Sequence, residues 1–422
     1  MNNIVIVGGG AAGMTAALAA KRADNNVLLL ERNENLGKKL RITGKGRCNI
    51  TNATEPESII RATVRNGKFL YTALYTYTND DIVRFLEENG VPTKVERGMR
   101  VFPVSDKAAD VVAAFSGALK RGGIRVQRNI RVNRLIIRSG RIQGLQTMGG
   151  EELAADRVIL ATGGRSYPST GSDGSGYRLA EQAGHTIVPT VPVLTGLRAS
   201  EGAAGTDTVR ALSGLSLKNV GLRISVDGKN CYDAFGELLF THTGISGPMV
   251  LTASSVANLS FPCTAVIDFK PALDESALDR RWIRLLASSP ERQLRNLMKD
   301  LLPNKAIEPV LVRAGANPFA KAHTVDRVRR RALIDVMKNF SIPLAGRGSF
   351  REAVVTRGGV DVREVDPYTM ASKKVDGLYF AGELLDMDAL TGGYNLQIAW
   401  STGYLAGCSA AEKGDGNVQY SD

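Results

Sequence analysis

The most constraining feature lies near the start of the chain. Residues 3–7 read NIVIV, an unbroken apolar run, and Gly8-Gly9-Gly10-Ala11-Ala12-Gly13 follows at once. Such a run suits a strand buried on both faces of a parallel sheet. The small residues after Gly13 suit a helix packed tightly on that sheet, and VLLLE at 27–31 reads as a second buried strand. Strand, glycine turn, helix and strand within about thirty residues make a βαβ unit. In that context the GxGxxG spacing carries a mechanism. Gly8 permits the tight turn, Gly10 lets a pyrophosphate approach the backbone, and Gly13 lets helix and strand close up. The helix N-terminus offers free N–H groups and the positive end of its dipole to phosphates. Glu31 ends the second strand, eighteen residues after Gly13. A carboxylate there accepts from ribose hydroxyls and repels a 2′-phosphate, which favours FAD or NAD over NADP in this site.

Further along, NDDIVRFLEEN (79–89) predicts an amphipathic helix closed by Gly90. Residues 124–148 predict strands with a turn at Ser139-Gly140, and RVILA (157–161) is another buried strand running into ATGG. Residues 190–270 change texture to short β-patterned segments, and 271–346 read as polar helices broken by prolines. Buried strand and small-residue helix return with VDGLYFAGE and residues 394–412. The expected architecture is therefore α/β, a discontinuous Rossmann-type domain (1–189 and 347–422). It is interrupted by an insert (190–346) with a β part (190–270) and a helical part (271–346). The chain has 45 glycines in 422 residues, above the usual ~7%. With no Gly-X-Y period, that excess marks tight turns or backbone lying against a ligand.

Two further stretches join the first turn. Residues 37–52 (GKKLRITGKGRCNITN) hold Lys38, Lys39, Arg41, Lys45 and Arg47 with no acid, interleaved with Gly44 and Gly46. They read either as cationic cover for a pyrophosphate or as a solvated basic loop, with Cys48 a small packing residue. AGELLDMDALTGGYNLQ (381–397) joins a strand to a helix and combines Glu383 and Asp386 with Gly392, Gly393 and Asn395. A ribityl chain needs acceptors for its hydroxyls and a flavin ring needs N–H donors at one edge, and such a turn supplies both. NAD alone would not require this second, distant site.

The set GGGAAG, GKKLRITGKGRCNITN, ATGG, FTHTGISGP and YFAGELLDMDALTGGYNLQIAWSTGYLAG resembles the BaiN-like, or aminoacetone-oxidase-like, FAD-dependent oxidoreductases over nearly the whole chain. The resemblance implies a glutathione-reductase-like FAD domain with an inserted β-barrel-like and helical domain. It also implies FAD contacts at Gly8, Gly10, Ala12, Gly13, Glu31, Arg32, Lys39, Arg47, Gly163, Gly382, Glu383, Asp386, Gly393, Asn395 and Leu396. Val132 matches the position whose backbone meets adenine. Lys45 departs from the family, where many members carry glycine. Among relatives the resemblance implies two activities. One is reduction of a C=C bond conjugated to a ketone in steroid-like bile-acid intermediates, and the other is oxidation of an amine such as aminoacetone by oxygen.

No second strand–GxGxxG–helix is present, since GSDGSG (171–176) has the wrong spacing. NAD(P)H is therefore expected only as a transient reductant. The expected partner is a small-molecule substrate. His185, His242, His323 and Tyr394 are the proton-transfer candidates, and none is assigned as a catalytic acid or base. The insert is expected to wall the substrate site. Cys48, Cys231, Cys263 and Cys408 lack zinc or redox spacing, so no metal site is expected and a reducing cytoplasm is. No uninterrupted apolar stretch is long enough to span a membrane. The net charge is +12, from 54 basic and 42 acidic residues, and residues 280–338 alone carry fourteen Lys or Arg against five acids. That concentration reads as a solvated helix face or as steering of an anionic substrate or NAD(P)H. A nucleic-acid-binding flavoprotein is the rival reading, but the chain shows no recognised RNA module and only 6% aromatics for base stacking.

Overall fold

The computed structural model describes residues 2–257 and 259–412. The chain divides into two compact units, one of residues 2–192 and 353–412, the other of residues 193–352.

The first unit is built on a five-stranded parallel sheet in the order Leu378–Phe380, Arg157–Leu160, Asn2–Val7, Asn25–Leu30, Arg125–Gln127. Ile4 pairs with Val27 on one side and with Arg157 on the other. The first helix, Ala11–Ala20, and the last, Tyr394–Ala411, pack on one another and on this sheet. Their backbones nearly touch. A Cβ on Gly403 would lie 2.3 Å from the Ala12 carbonyl oxygen, and one on Gly407 would lie 2.3 Å from that of Ala16. Asn79–Glu88 is a helix with a full capping box, Thr78 and Asp81 each binding the other's backbone N–H. Val132–Arg138 and Arg141–Thr147 form an antiparallel hairpin, turning at Ser139 and Gly140 with φ of +49° and +73°.

The second unit is a closed six-stranded barrel: Leu197–Ala199, Gly244–Ser246, Lys229–Phe240, Ser216–Val226, Cys263–Asp268 and Phe340–Arg347. All but the final residue of the last strand lies in the stretch expected to be helical (271–346), which corrects that reading, and the second unit runs on to residue 352 rather than 346. Its alternating residues Phe340, Ile342 and Leu344 are buried, and it pairs with both Cys263–Asp268 and Leu197–Ala199, closing the barrel. Between the fifth and sixth strands lie the helices Glu275–Ser288, Leu294–Leu297, Asn304–Arg313 and Arg327–Lys338. Leu278, Trp282, Leu333, Ile334 and Met337 bury their inner faces.

The arginine run at 329–331 is mostly spent within this unit. Arg330 pairs with Asp279 at 2.6 Å and Arg331 with Glu275 at 2.7 Å, joining the first and last of these helices, while Arg329 donates to the Gly315 carbonyl. Arg280, Arg284, Arg295, Lys299 and Arg327 stay exposed. Among the described residues no helix is long and apolar enough to cross a membrane.

Candidate cofactor site

The glycine turn is built as a cradle. Gly8 has φ +110° and donates to the Leu30 carbonyl at 2.8 Å. A Cβ on it would lie 2.5 Å from the Ala161 carbonyl oxygen, and one on Gly13 only 1.8 Å from that of Gly8. Gly10 differs: a Cβ there would meet nothing within 4 Å. The space in front of Gly10 is open, at a helix N-terminus with no side-chain cap. The first N–H groups of a helix have no partner of its own, so they face this space. Ala12 is buried behind it, its Cβ 2.9 Å from where a Cβ of Gly382 (φ +72°) would sit.

Glu31 is buried and fixed. One carboxylate oxygen accepts from the Gly9 N–H at 2.7 Å, the other from the Asn33 backbone and side-chain N–H groups, both at 2.7 Å. The Ile130 N–H donates to the Glu31 carbonyl at 3.0 Å, which brings the chain leading to half-buried Val132 alongside. Arg32 donates to the Gly171 carbonyl at 3.1 Å and pairs with Asp173 at 2.5 Å. Desolvation pushes the Asp173 carboxyl up, but Arg32 and hydrogen bonds from Ser175 outweigh it and bring it down to about 2.

The basic loop has partners its own sequence does not contain. Lys39 Nζ sits 2.5 Å from Glu383 Oε2 and 2.7 Å from Ser166 Oγ. The other Glu383 oxygen accepts from Ser166 Oγ at 2.7 Å and from the Thr356 N–H at 2.8 Å. Arg47 pairs with Glu96 at 2.5 Å and Asp106 at 2.9 Å, and lies 4.0 Å over the Phe102 ring. Lys39 and Arg47 are held by acids from distant segments, while Lys38, Arg41 and Lys45 are exposed. Lys45 has φ +60°, the left-handed region where glycine is at ease. Cys48 is fully buried and burial pushes its thiol up to about 12, so it is an inert packing residue.

The second glycine segment folds back beside the first. Asp386 accepts from the Gly358 N–H at 3.1 Å and from Asn66 Nδ2 at 3.3 Å, with Arg65 at 3.5 Å. Burial pushes its carboxyl above the usual range, against the pull of Arg65. Asp388, fully buried, holds Arg357 through both oxygens at 2.9 and 2.7 Å. Gly393 (φ +102°) lies so close to Thr51 that a Cβ would fall 2.3 Å from its carbonyl oxygen. Asn395 brackets the loop behind it, accepting from the Ala389 N–H at 2.9 Å and donating to its carbonyl at 2.8 Å. Tyr394 and Leu396 are half-buried against the core, and the last helix begins here without a side-chain cap.

The buried Asn52 Oδ1 and Thr162 Oγ1 have no partner among the described residues. Asn52 Nδ2 donates to the Gly392 carbonyl at 2.9 Å, and Thr162 stands just before Gly163 (φ +73°) in the ATGG turn. Two glycine turns, two uncapped helix N-termini, an open cradle and the orphaned Asn52 Oδ1 beside Gly392 suit an extended, hydroxyl-rich, phosphorylated ligand, and FAD fits that description.

Sequence reasoning missed Asn33, Ser166, Thr356 and the Arg357–Asp388 pair. Only Asn33 carried a local signal, a polar side chain two residues after Glu31. Of the histidines, His185 is buried in the first unit, 2.6 Å from Ser372 Oγ and edge-on to Phe380. Burial pulls its ring below the usual value while Glu364 pushes it up. His242 and His323 are exposed in the second unit.

The family model described as the HI0933-like protein Rossmann domain matches residues 2–409. The chain is 34% identical to a 3-dehydro-bile acid delta(4,6)-reductase of Clostridium scindens, covering 98% of this chain and 100% of that one. It is 30% identical to a ribosomal RNA dihydrouridine synthase of Haemophilus influenzae, covering 97% and 98%. Among solved structures, 3-ketosteroid-delta4-(5alpha)-dehydrogenase from Rhodococcus jostii superposes with a TM-score of 0.53 at 17% identity, covering 98% and 97%. A flavocytochrome c3 fumarate reductase superposes with a TM-score of 0.51 at 19% identity, covering 97% and 78%. At these identities the two structures establish the fold alone.

Proposed function

The chain belongs to the HI0933-like Rossmann family, and from that premise we propose that it is an FAD-dependent oxidoreductase. Its reaction is the saturation of a C=C bond conjugated to a carbonyl in a small, steroid-like molecule, with NAD(P)H as reductant. The observation that carries the cofactor is the open face over Gly10, between the helix N-terminus and the fixed Glu31 carboxylate. The delta(4,6)-reductase supports the reaction class by its name. The four free cysteines agree with a reducing, cytoplasmic setting.

Gly8, Gly10, Ala12 and Gly13 would receive the pyrophosphate, and Glu31 with Arg32 and the backbone near Val132 the adenosine end. Gly163, Gly382, Glu383 and Asp386 would receive the ribityl chain, with Lys39 locked onto Glu383. Gly393 and the N–H groups of Asn395 and Leu396 would meet the polar edge of the ring. Arg47 acts one step back, tying its loop to Glu96 and Asp106. Bound there, FAD supplies two-electron transfer between a reduced nicotinamide and the conjugated double bond. The protein's part is to hold its charges before the ligand arrives, so that little reorganisation is needed.

Anaerobic rapid mixing tests the reading. NADH or NADPH should bleach the flavin's visible band, and a 3-keto steroid enone should restore it. Bleaching by primary amines alone would replace this reading with an amine oxidase.

The relatives named ribosomal RNA dihydrouridine synthase favour a second reading. Dihydrouridine is uridine with its ring C=C bond, itself conjugated to a carbonyl, saturated. The exposed Arg280, Arg284 and Arg327 would then meet phosphates. RNA binding whose affinity falls steeply with salt, less steeply after these three arginines become Gln, would favour it.

A further inference from the structure

The polar end of the segment 37–52, from Asn49 to Asn52, has partners of a different kind from its cations. Thr51–Asn52 is a short strand, paired on one side with Arg100 and Val101. Its other side meets the start of the last helix, Tyr394–Ala411. Thr51 Oγ1 donates to Gln397 Oε1 at 2.6 Å. The Trp400 indole N–H donates to the Ile50 carbonyl at 3.0 Å, and Asn52 Nδ2 to the Gly392 carbonyl at 2.9 Å. Asn49, its amide oriented to suit both neighbours, accepts from the Gly393 N–H at 3.0 Å and donates to the Thr51 carbonyl at 3.2 Å. The Gln397 amide is fully engaged. Its Nε2 donates to the Tyr77 carbonyl at 3.1 Å and to Ser401 Oγ at 2.9 Å, and Ser401 Oγ donates on to the same carbonyl at 2.6 Å. Thr51, Gln397, Trp400 and Ser401 are all fully buried.

Burying polar groups costs desolvation that an apolar cluster would not, and a network in which every member is satisfied specifies one arrangement. Here the arrangement it fixes is that of the helix's first turn. The Gln397 N–H makes the first bond of the helix, to the Gly393 carbonyl at 3.1 Å. The N–H groups of Tyr394, Asn395 and Leu396 therefore have no partner within the helix. The helix runs for 18 residues, and its dipole places positive charge at this end. We propose that Thr51 and Gln397 are positioning residues for the flavin. Their hydrogen bond holds the first turn so that its free N–H groups face the polar edge of the ring. The reduced ring carries more negative charge at that edge than the oxidised one, so the same bond sets how strongly reduced FAD is preferred. Both residues are fully buried, so neither meets the ligand itself. The role rests on the cofactor reading above.

Thr51→Val removes the hydroxyl with little change of shape and leaves Gln397 Oε1 without its donor, while Thr51→Ser keeps a hydroxyl. Anaerobic titration of the FAD-loaded proteins against a redox dye measures the flavin's midpoint potential. In Thr51→Val, reduced FAD should lose about tenfold more affinity than oxidised FAD, which lowers the potential by about 30 mV. Gln397→Met should give the same shift, and the double variant little more than either alone. Thr51→Ser should recover most of it. Leu145→Ala, a truncation at a fully buried position of the hairpin, should lower the melting temperature and leave the potential at the parent value, which separates positioning from loss of stability. If Thr51→Val does not accumulate, Ser401→Ala loosens the same amide from its other side and is measured in the same way. A potential unchanged in both Thr51→Val and Gln397→Met, or moved equally by Leu145→Ala, overturns the role and leaves the cofactor reading standing. A parent protein that takes up no FAD, as followed by flavin fluorescence on mixing, overturns the cofactor reading and this role with it.

Discussion

Two glycines three residues apart serve different masters. Gly13 is required by the protein, since its missing Cβ would sit 1.8 Å from the Gly8 oxygen. Gly10 is not, because its Cβ would meet nothing, and its φ of −84° suits any residue. Gly10→Ala should therefore fold normally, with a melting temperature within about 3 °C of the parent. Its FAD affinity should fall at least ~tenfold, or ~1.4 kcal/mol, as the methyl occupies the space a pyrophosphate needs. Gly13→Ala should yield little folded protein at all. Thermal melts with FAD titration check both, and equal FAD affinity in Gly10→Ala and the parent would refute the cradle. Glu364 offers a residue-level pH effect. Desolvation pushes its carboxyl up, but Lys374 and the two Thr186 hydrogen bonds outweigh it and bring it down to about 2. A carboxylate depressed from the usual ~4.3 stabilises the fold above that value and loses the contribution as pH falls toward 2. Glu364→Gln should flatten the acid limb of the stability curve in that window, as read by urea midpoints at successive pH values.

At the scale of elements, the site stands on the contact between the first and last helices. That contact is almost all backbone on backbone, through Gly403 and Gly407 on one side and Ala12 and Ala16 on the other. Close approach sets where the last helix begins, and so where Gly393 and the N–H groups after it point. Gly407→Val should cost about 3 kcal/mol by overpacking and lower FAD affinity from a position about three turns along the helix from Asn395. A urea series with and without FAD measures both effects. The sequence displays this helix as a small-residue stretch, and its glycines are legible as packing residues. Which helix they pack against is not legible, because the partner lies almost four hundred residues earlier. The barrel shows the same limit. Phe340–Arg347 alternates cleanly, yet it follows sixty residues of helix, and only pairing with two strands from far away makes it the closing stave.

At the scale of the whole molecule, two separate hydrophobic cores underlie the two units. Joining residue 192 to 353 through a short Gly-Ser linker should leave a protein that binds FAD at parent stoichiometry and turns over no substrate. Visible absorbance and steady-state assays report the two outcomes, and surviving turnover would remove the insert from the substrate site. The charge also divides at this scale. The excess over 280–338 lies in the second unit, and part of it is matched there by acids from outside that stretch, Asp279, Glu275 and Asp268. Arg280, Arg284, Arg295 and Arg327 remain exposed on its surface.

The sequence by itself determined the βαβ turn, the parallel sheet and the interruption by a β-and-helix insert. These follow from periodicities and steric demands confined to a few neighbouring residues, where the backbone leaves little choice. Only the tertiary structure decided what the charges do. Lys39 could be cover for a phosphate or a partner for Glu383, and Arg47 a ligand or an anchor for Glu96 and Asp106. Asn395 could be a cofactor contact or a clasp for its own loop. An ion pair or a side-chain bracket depends on which groups arrive within 3 Å in space, and a one-dimensional pattern holds no record of that distance.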